Sequence, residues 1–345
     1  MICSGAMEHL KETWDDRRAP TLKDVARAVG ISEATASVVL NGAKSGTRVS
    51  AARRQAVIEA AVRIGYRPNS VARALQAGRN HRIGIYSGRS ELDARNLFFA
   101  ELLGGMCDAA RALGSNVVLH TSGDDPGQLL ELVSSAALDG LLVHAAQDDP
   151  IVPLLGELRA PAIAIADQVA GLHSVGVDDA MGGVLQAEHL AQKGHRHVLY
   201  KQNRYLAQSA LDRMETFLQT AKRLGMRVSV RYEESFEESF DASDVALVRN
   251  GEGRATAVVG WHDRAAEQAC IRLREEGIAI PGDVAVIGFD GFRSYYSPLF
   301  SLTTVRAPWY QVGQIATEHL ARLTRGEAVT LLTTLPVELI PGDTT

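Results

Sequence analysis

The sequence has few cysteines and no long apolar segment. Its three cysteines, Cys3, Cys107 and Cys270, are scattered and form no CxxC pair, so neither a disulfide framework nor a cysteine zinc site is expected. No apolar run reaches the ~20 residues that a membrane-spanning helix needs. Residues 1–20 are charged and hold no apolar core of the kind found in secretory signals. These absences predict a protein of the reducing cytoplasm with no membrane partner.

Catalytic motifs are also missing. The sequence contains no G-x-S-x-G, no H-E-x-x-H, no G-x-G-x-x-G after a strand and no G-x-x-x-x-G-K-[ST], each of which fixes reactive groups or phosphate-binding amides at a set spacing. Residues 42–47 have the small side chains of a phosphate loop, but their spacing is wrong. His189, His195 and His197 have the residue type of a metal cluster, yet their positions at a helix end and a strand start favour surface or capping roles. We therefore predict no enzyme, no cofactor and no metal.

The charge is distributed unevenly along the chain. The 345 residues carry a formal net charge of −5, but residues 21–82 alone carry +8 and residues 83–345 carry −12. A solvated charged face explains such a segment, and so does binding to a polyanion. The length suits two or three domains, and 46% hydrophobic residues are enough for packed cores. The local pattern must decide between the two explanations.

Three short helices are expected in the basic segment. The first opens with a capping box at 21–24 and ends at Gly30. The second runs from Ser32 to Leu40, and the third runs from Ser50 to Gly65. Because a tight glycine turn joins the first two helices, the segment has the form of a helix-turn-helix. The predicted inward residues are Leu22, Val25, Ala26, Val29, Thr35, Ala36, Val39, Leu40, Val57, Ala60, Ala61 and Ile64.

Short strings in this segment stand at a characteristic spacing. They are TLKDVA at 21–26, GIS at 30–32, Thr35, Ser37, LN at 40–41, VS at 49–50 and GYRPN at 65–69. Together they resemble the DNA-binding head of the LacI/GalR family of bacterial transcription regulators, which are lac-repressor-like. Further matches, such as NLFF at 96–99, DDAMGG at 178–183 and GFD at 288–290, extend the resemblance over roughly residues 20–340.

The resemblance implies a regulator, and it favours a repressor, that binds double-stranded operator DNA as a homodimer. The second helix would enter the major groove, where base edges distinguish all four base pairs. The segment at 68–80 would form a hinge helix in the minor groove, with Leu75 as a wedge between base steps. The residues expected to contact DNA are Thr21, Ser32, Glu33, Ala34, Thr35, Ser37, Val38, Asn41, Arg48, Tyr66, Asn69, Ala72, Arg73 and Leu75.

The base-reading surface departs from the family pattern. Many members carry Arg where this chain has Val38, and Val where it has Ala36. Glu33 has two interpretations, as an acceptor from a cytosine amino group or as a solvated residue near a helix N-terminus. Thr35, Ser37 and Asn41 suit phosphate contacts, which position the protein without specifying sequence. The operator sequence therefore does not follow from the residues.

Residues 81–345 alternate apolar strands with amphipathic helices, which indicates parallel sheets covered on both faces. The pattern runs through two halves and predicts two doubly wound lobes. The family resemblance implies the same periplasmic-binding-protein-like core, joined here to an all-α helix-turn-helix head. Strands are expected at 82–86, 116–120, 139–144, 162–166, 197–200, 227–230, 257–260 and 284–288, and helices at 98–113, 128–137, 182–193, 211–224 and 264–276.

The expected domain organisation has four parts. Residues 1–20 form an unassigned N-terminal extension, 21–67 the helix-turn-helix domain, 68–80 the hinge helix and linker, and 81–345 the effector-binding and dimerisation core. The resemblance implies that the chain crosses between the lobes three times. Lobe 1 would comprise about 81–177 and 308–336, and lobe 2 about 178–307 and 337–345.

Polar residues that follow the strands are the candidates for a ligand site, because such sheets bind ligands beyond the carboxyl ends of their strands. By resemblance, Arg213 and Asp290 contact a small-molecule effector. An Asp–Arg set suits a polyhydroxylated neutral ligand, which favours a sugar or sugar derivative. Each acid has the alternative of a loop cap or an interlobe salt bridge, and Asp178 and Asp179 suit helix N-caps. The candidate effector residues are Ser87, Asp167, Arg213, Phe236, His262, Asp263 and Asp290.

Two other functions remain as alternatives. A solute-binding receptor would share the same core, but a periplasmic receptor needs an export signal. A sugar-modifying enzyme would show turnover of its ligand. Preference for promoter fragments over other DNA discriminates the regulator from both alternatives.

Overall fold

A computed structural model divides the chain into two units, Met1–Asn80 and His81–Thr345. The described residues are 19–41, 49–67, 80–88, 96–119, 125–134, 137–204, 207–233, 239–249, 251, 253–292 and 300–345.

The first unit contains three helices, α1 (Leu22–Val29), α2 (Glu33–Asn41) and α3 (Ala51–Ile64). Thr21 caps α1 through the expected capping box: its hydroxyl accepts from the Asp24 amide at 3.3 Å, and the Asp24 carboxylate accepts from the Thr21 amide at 2.9 Å. Gly30 ends α1 with φ of 68°, a left-handed conformation that glycine adopts without strain. The chain can therefore turn sharply into α2.

The head has a small core in which all three helices take part. Of the twelve residues predicted to face inward, seven are buried, which confirms the prediction for them, and the other five are half-buried. Small side chains at the contacts let three short helices approach closely. The buried residues are Val25, Ala26, Ala36, Val39, Val57, Ala60 and Ala61.

The second unit contains two mainly parallel sheets with helices on their faces. Its strands are β1 (Arg82–Ser87), β2 (Asn116–Leu119), β3 (Gly140–His144), β4 (Ala162–Ile165), β5 (His173–Val177), β6 (His197–Gln202), β7 (Arg227–Tyr232), β8 (Ala257–Gly260), β9 (Ala285–Asp290), β10 (Thr303–Arg306), β11 (Leu332–Leu335) and β12 (Glu338–Ile340). Its α helices are α4 (Leu97–Ala112), α5 (Pro126–Ser134), α6 (Asp179–Gln192), α7 (Gln208–Arg223), α8 (Ala242–Arg249), α9 (Asp263–Glu275) and α10 (Trp309–Leu323), and a 3₁₀ helix spans Val152–Glu157.

The two sheets define two lobes. Lobe 1 has the strand order β11-β5-β4-β3-β1-β2, and lobe 2 has β12-β10-β9-β8-β6-β7. The strands pair in parallel except for β12, which is antiparallel to β10. Both faces of each sheet are covered: in lobe 1, Ile83 and Ile85 pack with α4, while Tyr86 and Leu141 pack on the other face. The predicted fold class, a helical head and a two-lobed α/β core, is confirmed.

The chain passes between the lobes after β5, after β10 and after β11. Because the strands of each sheet run in parallel, their carboxyl ends meet at one edge. The residues at these edges are those that face the cleft between the lobes.

Several elements differ from the sequence prediction. The strands β5, β10, β11 and β12 and the helices α8 and α10 were not expected. The second half begins its first helix three residues earlier than predicted, because Asp178 caps it by accepting a hydrogen bond from the Met181 amide at 2.9 Å. Within the described residues, no helix combines the length and the apolar character needed to cross a membrane.

Candidate DNA-binding helix and effector cleft

The exposed side of α2 is formed by its first turn. Ser32, Glu33 and Ala34 are exposed, while Thr35, Ser37 and Val38 are half-buried. The Ser32 hydroxyl accepts from the Thr35 amide at 3.2 Å and lies 2.8 Å from the Thr35 hydroxyl. These two hydroxyls therefore stabilise the start of the helix, which leaves Glu33 and Ala34 as its outermost side chains.

The other predicted DNA contacts are distributed over the head. Asn41 donates to the Ser37 hydroxyl at 3.2 Å, Thr21 is part of the capping box, and Tyr66 packs partly against the head core. Arg48, Asn69, Ala72, Arg73 and Leu75 lie outside the described residues. Among the described residues of this unit, the exposed basic side chains are Lys23, Arg27, Arg53, Arg54, Arg63 and Arg67.

Asp167 links the two lobes across the cleft. It follows β4 in lobe 1, and its Oδ1 accepts from the Ser209 backbone amide at the start of α7 in lobe 2, at 2.9 Å. His144 Nε2 lies 3.5 Å from Asp167 Oδ2, and its Nδ1 lies 3.4 Å from the hydroxyl of Ser87. Burial raises the pKa of Asp167, but the His144 and Ser209 interactions outweigh burial and hold that pKa below its usual value. The carboxylate is therefore ionised at neutral pH.

Arg213 is buried on α7 and makes three kinds of contact. Its Nε and Nη2 donate to Asp179 Oδ1 at 3.2 and 2.6 Å, and its Nη1 donates to the Trp261 carbonyl. The guanidinium carbon lies 3.3 Å from the centroid of the Phe289 ring. A methyl group at Gly183 would overlap the Arg213 carbonyl, so this glycine is what allows α6 and α7 to pack closely enough for the ion pair.

Asp179 is a site residue that the sequence interpretation assigned wrongly. Asp178 alone caps α6, whereas Asp179 turns inward to Arg213. Burial raises the pKa of Asp179 to about 6 against the opposing effect of Arg213. The two acids differ because one step along a helix changes the facing direction by about 100°.

Asp290 ends β9 and lies in lobe 2 opposite a tryptophan of lobe 1. Its Oδ1 accepts from Trp309 Nε1 at 2.9 Å, and its backbone φ is 122°, an uncommon conformation for a residue with a Cβ. Burial raises the pKa of Asp290 to about 7, although Arg213 and Trp309 oppose this shift. Like the Asp167–Ser209 hydrogen bond, this polar contact joins the lobes.

Asp263 supports the turn that follows β9. Its Oδ2 accepts from the amides of Gly291 and Phe292, both at 2.8 Å, and its Oδ1 accepts from the Thr304 hydroxyl at 2.5 Å. Burial and the neighbouring Asp290 raise the pKa of Asp263 despite these donors. Both oxygens are engaged within the protein, so Asp263 positions Asp290.

His262 caps α9 and belongs to an aromatic pair. Its Nδ1 accepts from the Ala265 amide at 2.9 Å, and its ring stacks on Trp261 with 3.8 Å between centroids. Burial lowers the pKa of His262 to about 3. The imidazole is therefore neutral, with its proton on Nε2.

Sequence reasoning also missed five aromatic or acidic residues of the cleft, Phe98, His144, Glu233, Trp261 and Trp309. Phe98 contacts both His144 and Trp309, with ring centroids 5.2 and 4.8 Å apart. Glu233 accepts from Trp261 Nε1 at 2.8 Å. Phe98 belongs to the NLFF string and His144 ends a predicted strand, so a signal existed for both. Trp309 begins α10, which was not predicted, and Glu233 lies three residues beyond the predicted end of the strand at 227–230. Phe236 lies outside the described residues.

The three histidines considered as metal ligands have separate partners. His189 contacts the Thr345 hydroxyl at 2.8 Å, His195 the Thr256 hydroxyl at 3.0 Å, and His197 the Gly253 carbonyl at 2.7 Å. Across the described ranges, no three His, Cys, Asp or Glu side chains form a group that could hold a metal ion.

Comparison with known proteins matches both units of the chain. The model for bacterial regulatory proteins of the lacI family matches residues 21–69, and that for the periplasmic binding protein-like domain matches 187–345. The HTH-type transcriptional repressor PurR of Vibrio vulnificus is 27% identical over 321 residues, which cover 87% of this chain and 90% of that protein. PurR of Pectobacterium carotovorum is 29% identical over 310 residues, which cover 86% and 88%.

A solved lac repressor dimer, bound to operator and the anti-inducer ONPF, is 25% identical with a TM-score of 0.82 and covers 95% of this chain and 99% of its own. The chain thus has the DNA-binding domain of the lacI family and a periplasmic binding protein-like domain. It is a DNA-binding transcription regulator that resembles members of that family, with its head in the first unit. The resemblance predicted from the sequence is thereby confirmed.

Proposed function

We propose that this regulator is a homodimeric repressor whose operator affinity is set by a small-molecule effector, a sugar or sugar derivative, bound between the lobes. The observation that carries the proposal is the meeting of polar side chains from both lobes at the cleft, where Asp167 and Asp290 each bond across it. A ligand bound there contacts both lobes and changes the free energy of their closure.

The proposed DNA surface is the start of α2 together with basic residues of the head. Glu33, Ala34 and Val38 face the base edges, and Thr35, Ser37 and Asn41 bind phosphates. Arg48, Tyr66, Asn69, Ala72 and Arg73 add contacts around the hinge, where Leu75 unstacks the central base step. The exposed cations on this unit support the proposal, since phosphate contacts supply most of the binding free energy.

The proposed effector site uses Arg213 and Asp290 of lobe 2 and Ser87 and Asp167 of lobe 1. An Asp290 carboxylate accepts from ligand hydroxyls, and the Asp179 partner fixes the Arg213 guanidinium in place. His262 is neutral and offers its Nε2 proton. Trp309 and Phe98 provide aromatic surface next to these polar groups, a combination that suits the two faces of a sugar ring.

Effector and operator are expected to affect one another's binding through lobe closure. Linkage requires that an effector which weakens operator binding also binds more weakly to the DNA complex, by the same factor. The second unit therefore controls the head by thermodynamic coupling, in which each ligand favours one of two lobe arrangements.

The test is a competition gel shift with promoter fragments and random duplex DNA, at two salt concentrations, with and without sugars. We expect preference for a promoter fragment, loss of affinity with salt, and a change in affinity when a sugar binds. Leu75→Ala should reduce operator affinity more than nonspecific affinity. Equal affinity for promoter fragments and random duplex DNA would contradict the proposed function. If Leu75→Ala reduced operator affinity and nonspecific affinity equally, the assignment of Leu75 as a wedge would be wrong.

A further inference from the structure

Three neighbouring strands of lobe 2 end with polar or aromatic residues that the proposed function does not use. In the parallel register, Gln202 of β6 pairs with Tyr232 of β7, and Lys201 of β6 pairs with Gly260 of β8. Asn203, Glu233 and Trp261 are the next residues after these strand ends. They therefore lie side by side at the edge of the sheet that faces the cleft.

Glu233 has one satisfied and one unsatisfied oxygen. The side chain is buried, with 7% of the residue exposed, and its Oε1 accepts from Trp261 Nε1 at 2.8 Å. Its Oε2 is buried and has no hydrogen-bond partner among the residues that the structure describes. Asn203 Oδ1, on the neighbouring strand end, is likewise buried without a partner. Buried acceptors are normally bonded, so two adjacent exceptions indicate that donors come from outside the chain.

The surrounding charges favour neutral donors. The positive charge of Lys201 interacts with Glu233. Asp244 neutralises that charge, because Asp244 Oδ2 lies 2.5 Å from Lys201 Nζ. The positive charge of Arg264 also interacts with Glu233, and it would repel a cationic group of a ligand. An ammonium ligand would meet these positive groups, whereas hydroxyl groups donate to both free oxygens without adding charge.

Trp261 adds a flat apolar surface beside the two acceptors. The His262 ring stacks on the indole ring of Trp261, and the Trp261 Nε1–H donates a hydrogen bond to Glu233. Sugars combine adjacent hydroxyls with an apolar ring face, and aromatic rings next to a few fixed acceptors match both features.

We propose that Asn203, Glu233 and Trp261 form a sugar subsite at the β6–β7 end of the cleft, in which Glu233 and Asn203 accept hydrogen bonds from two neighbouring hydroxyls of the effector. This subsite deepens the proposed function and rests on it. It selects sugars by the donors they present and disfavours phosphorylated sugars, because a phosphate would approach the Glu233 carboxylate.

The test is calorimetric binding of unmodified mono- and disaccharides, their phosphorylated counterparts and amino sugars to the full-length protein. Glu233→Gln keeps the size and the acceptor for Trp261 but replaces the other oxygen by a donor. At pH 8, above the pKa of about 7 that burial gives Glu233, we expect this variant to weaken the binding of the best-binding neutral sugar by about tenfold or more, as loss of a hydrogen bond to a charged group does. Asn203→Ala should weaken it less, and Glu275→Gln, an exposed matched control, should leave affinity unchanged.

Each outcome has a separate meaning. Thermal melting checks that the variants fold, and the Asn203 variant preserves the test if Glu233→Gln is unstable. Equal sugar affinity in wild type, Glu233→Gln and Asn203→Ala overturns the subsite and leaves the proposed function intact. Preference for a phosphorylated or amino sugar overturns the assignment to neutral hydroxyls. If no sugar binds while promoter fragments are still preferred, the sugar subsite is wrong and operator binding stands.

Discussion

Lys201 and Asp244 form a buried ion pair that stabilises the start of α8. Their side chains are 2% and 1% exposed, and Asp244 also accepts from the Asp241 amide at 3.1 Å. Lys201→Met leaves the Asp244 carboxylate buried without its cation, and we expect it to lower the free energy of unfolding by about 3–5 kcal/mol in urea titrations.

The matched control for this pair is an exposed one. Arg223→Met removes a partner of Glu188, where both side chains are largely exposed, and it should cost less than about 1 kcal/mol. The double variant Lys201→Met, Asp244→Leu should recover much of the loss. Equal effects of the buried and exposed single variants would contradict the electrostatic explanation.

Asp290 makes stability depend on pH. Its pKa is about 7 in the folded protein and near 3.8 when unfolded, so between these values the native state holds a proton that the unfolded chain has released. Stability therefore falls as pH rises from about 4 to about 7 and is flat above that range. Asp290→Asn mimics the protonated form, retains the acceptor for Trp309 and removes this contribution.

We expect Asp290→Asn to be more stable than wild type at pH 8, by on the order of 2–4 kcal/mol, and similar to wild type at pH 4. Burial also raises the pKa values of Glu233, Asp179 and Asp263, so these groups keep part of the pH dependence in the variant. Urea midpoints at pH 4, 6 and 8 measure the effect. The same variant should bind effector more weakly, and a pH-independent difference in stability would refute the assignment.

The pairing of α6 with α7 depends on one glycine. A methyl group at Gly183 would overlap the Arg213 carbonyl, the Thr216 hydroxyl and the Phe217 amide. Gly183→Ala should separate the helices, weaken the Arg213–Asp179 pair and cost about 1–3 kcal/mol. Thermal melting and effector titration measure the two consequences.

Gly156→Ala is the matched control, because no atom lies within 4 Å of the added methyl group. It should leave both the melting temperature and the effector affinity near their wild-type values. A Gly183 variant that melts and binds like the control would show that the helices can adjust without cost.

Elements with strong local patterns could be predicted, and those without them could not. The capping box at Thr21, the glycine at Gly30 and the apolar strand at 257–260 are local signals, and the structure follows them. The missed strands are short: β12 has three residues, and its pairing with β10 depends on residues 30 or more positions away. Such strands are fixed by tertiary pairing, which a single sequence does not display.

The residues of the candidate site also divide into those that a local pattern indicated and those that it did not. Asp290 and Arg213 were expected from strand ends and family resemblance, and the structure brings both to the cleft. The partners that fix them, Asp179 and Trp309, come from other parts of the chain. Their roles depend on which way α6 and α10 face, and that direction is set by packing between the lobes.

At the scale of the whole molecule, we expect lobe closure to depend on Asp167, which bonds across the cleft. Asp167→Ala removes the acceptor for the Ser209 amide and with it a polar contact between the lobes. We expect a larger radius of gyration in small-angle scattering and an effector affinity reduced about tenfold.

Asp178→Asn is the control for this prediction. It removes a nearby charge, and asparagine caps helices as well as aspartate does. It should therefore leave lobe closure and effector affinity unchanged. An Asp167 variant with a wild-type scattering curve and wild-type affinity would exclude the proposed coupling.

The three passages of the chain between the lobes also bear on how such a protein can be rebuilt. Lobe 1 and lobe 2 each consist of discontinuous stretches of chain. The last part of the chain supplies β11 to lobe 1 and β12 to lobe 2. Neither lobe can be transplanted into a relative as one gene fragment, whereas the helix-turn-helix unit is contiguous. Chimaeras that exchange operator preference need a single junction, and those that exchange only one half of the ligand pocket need several.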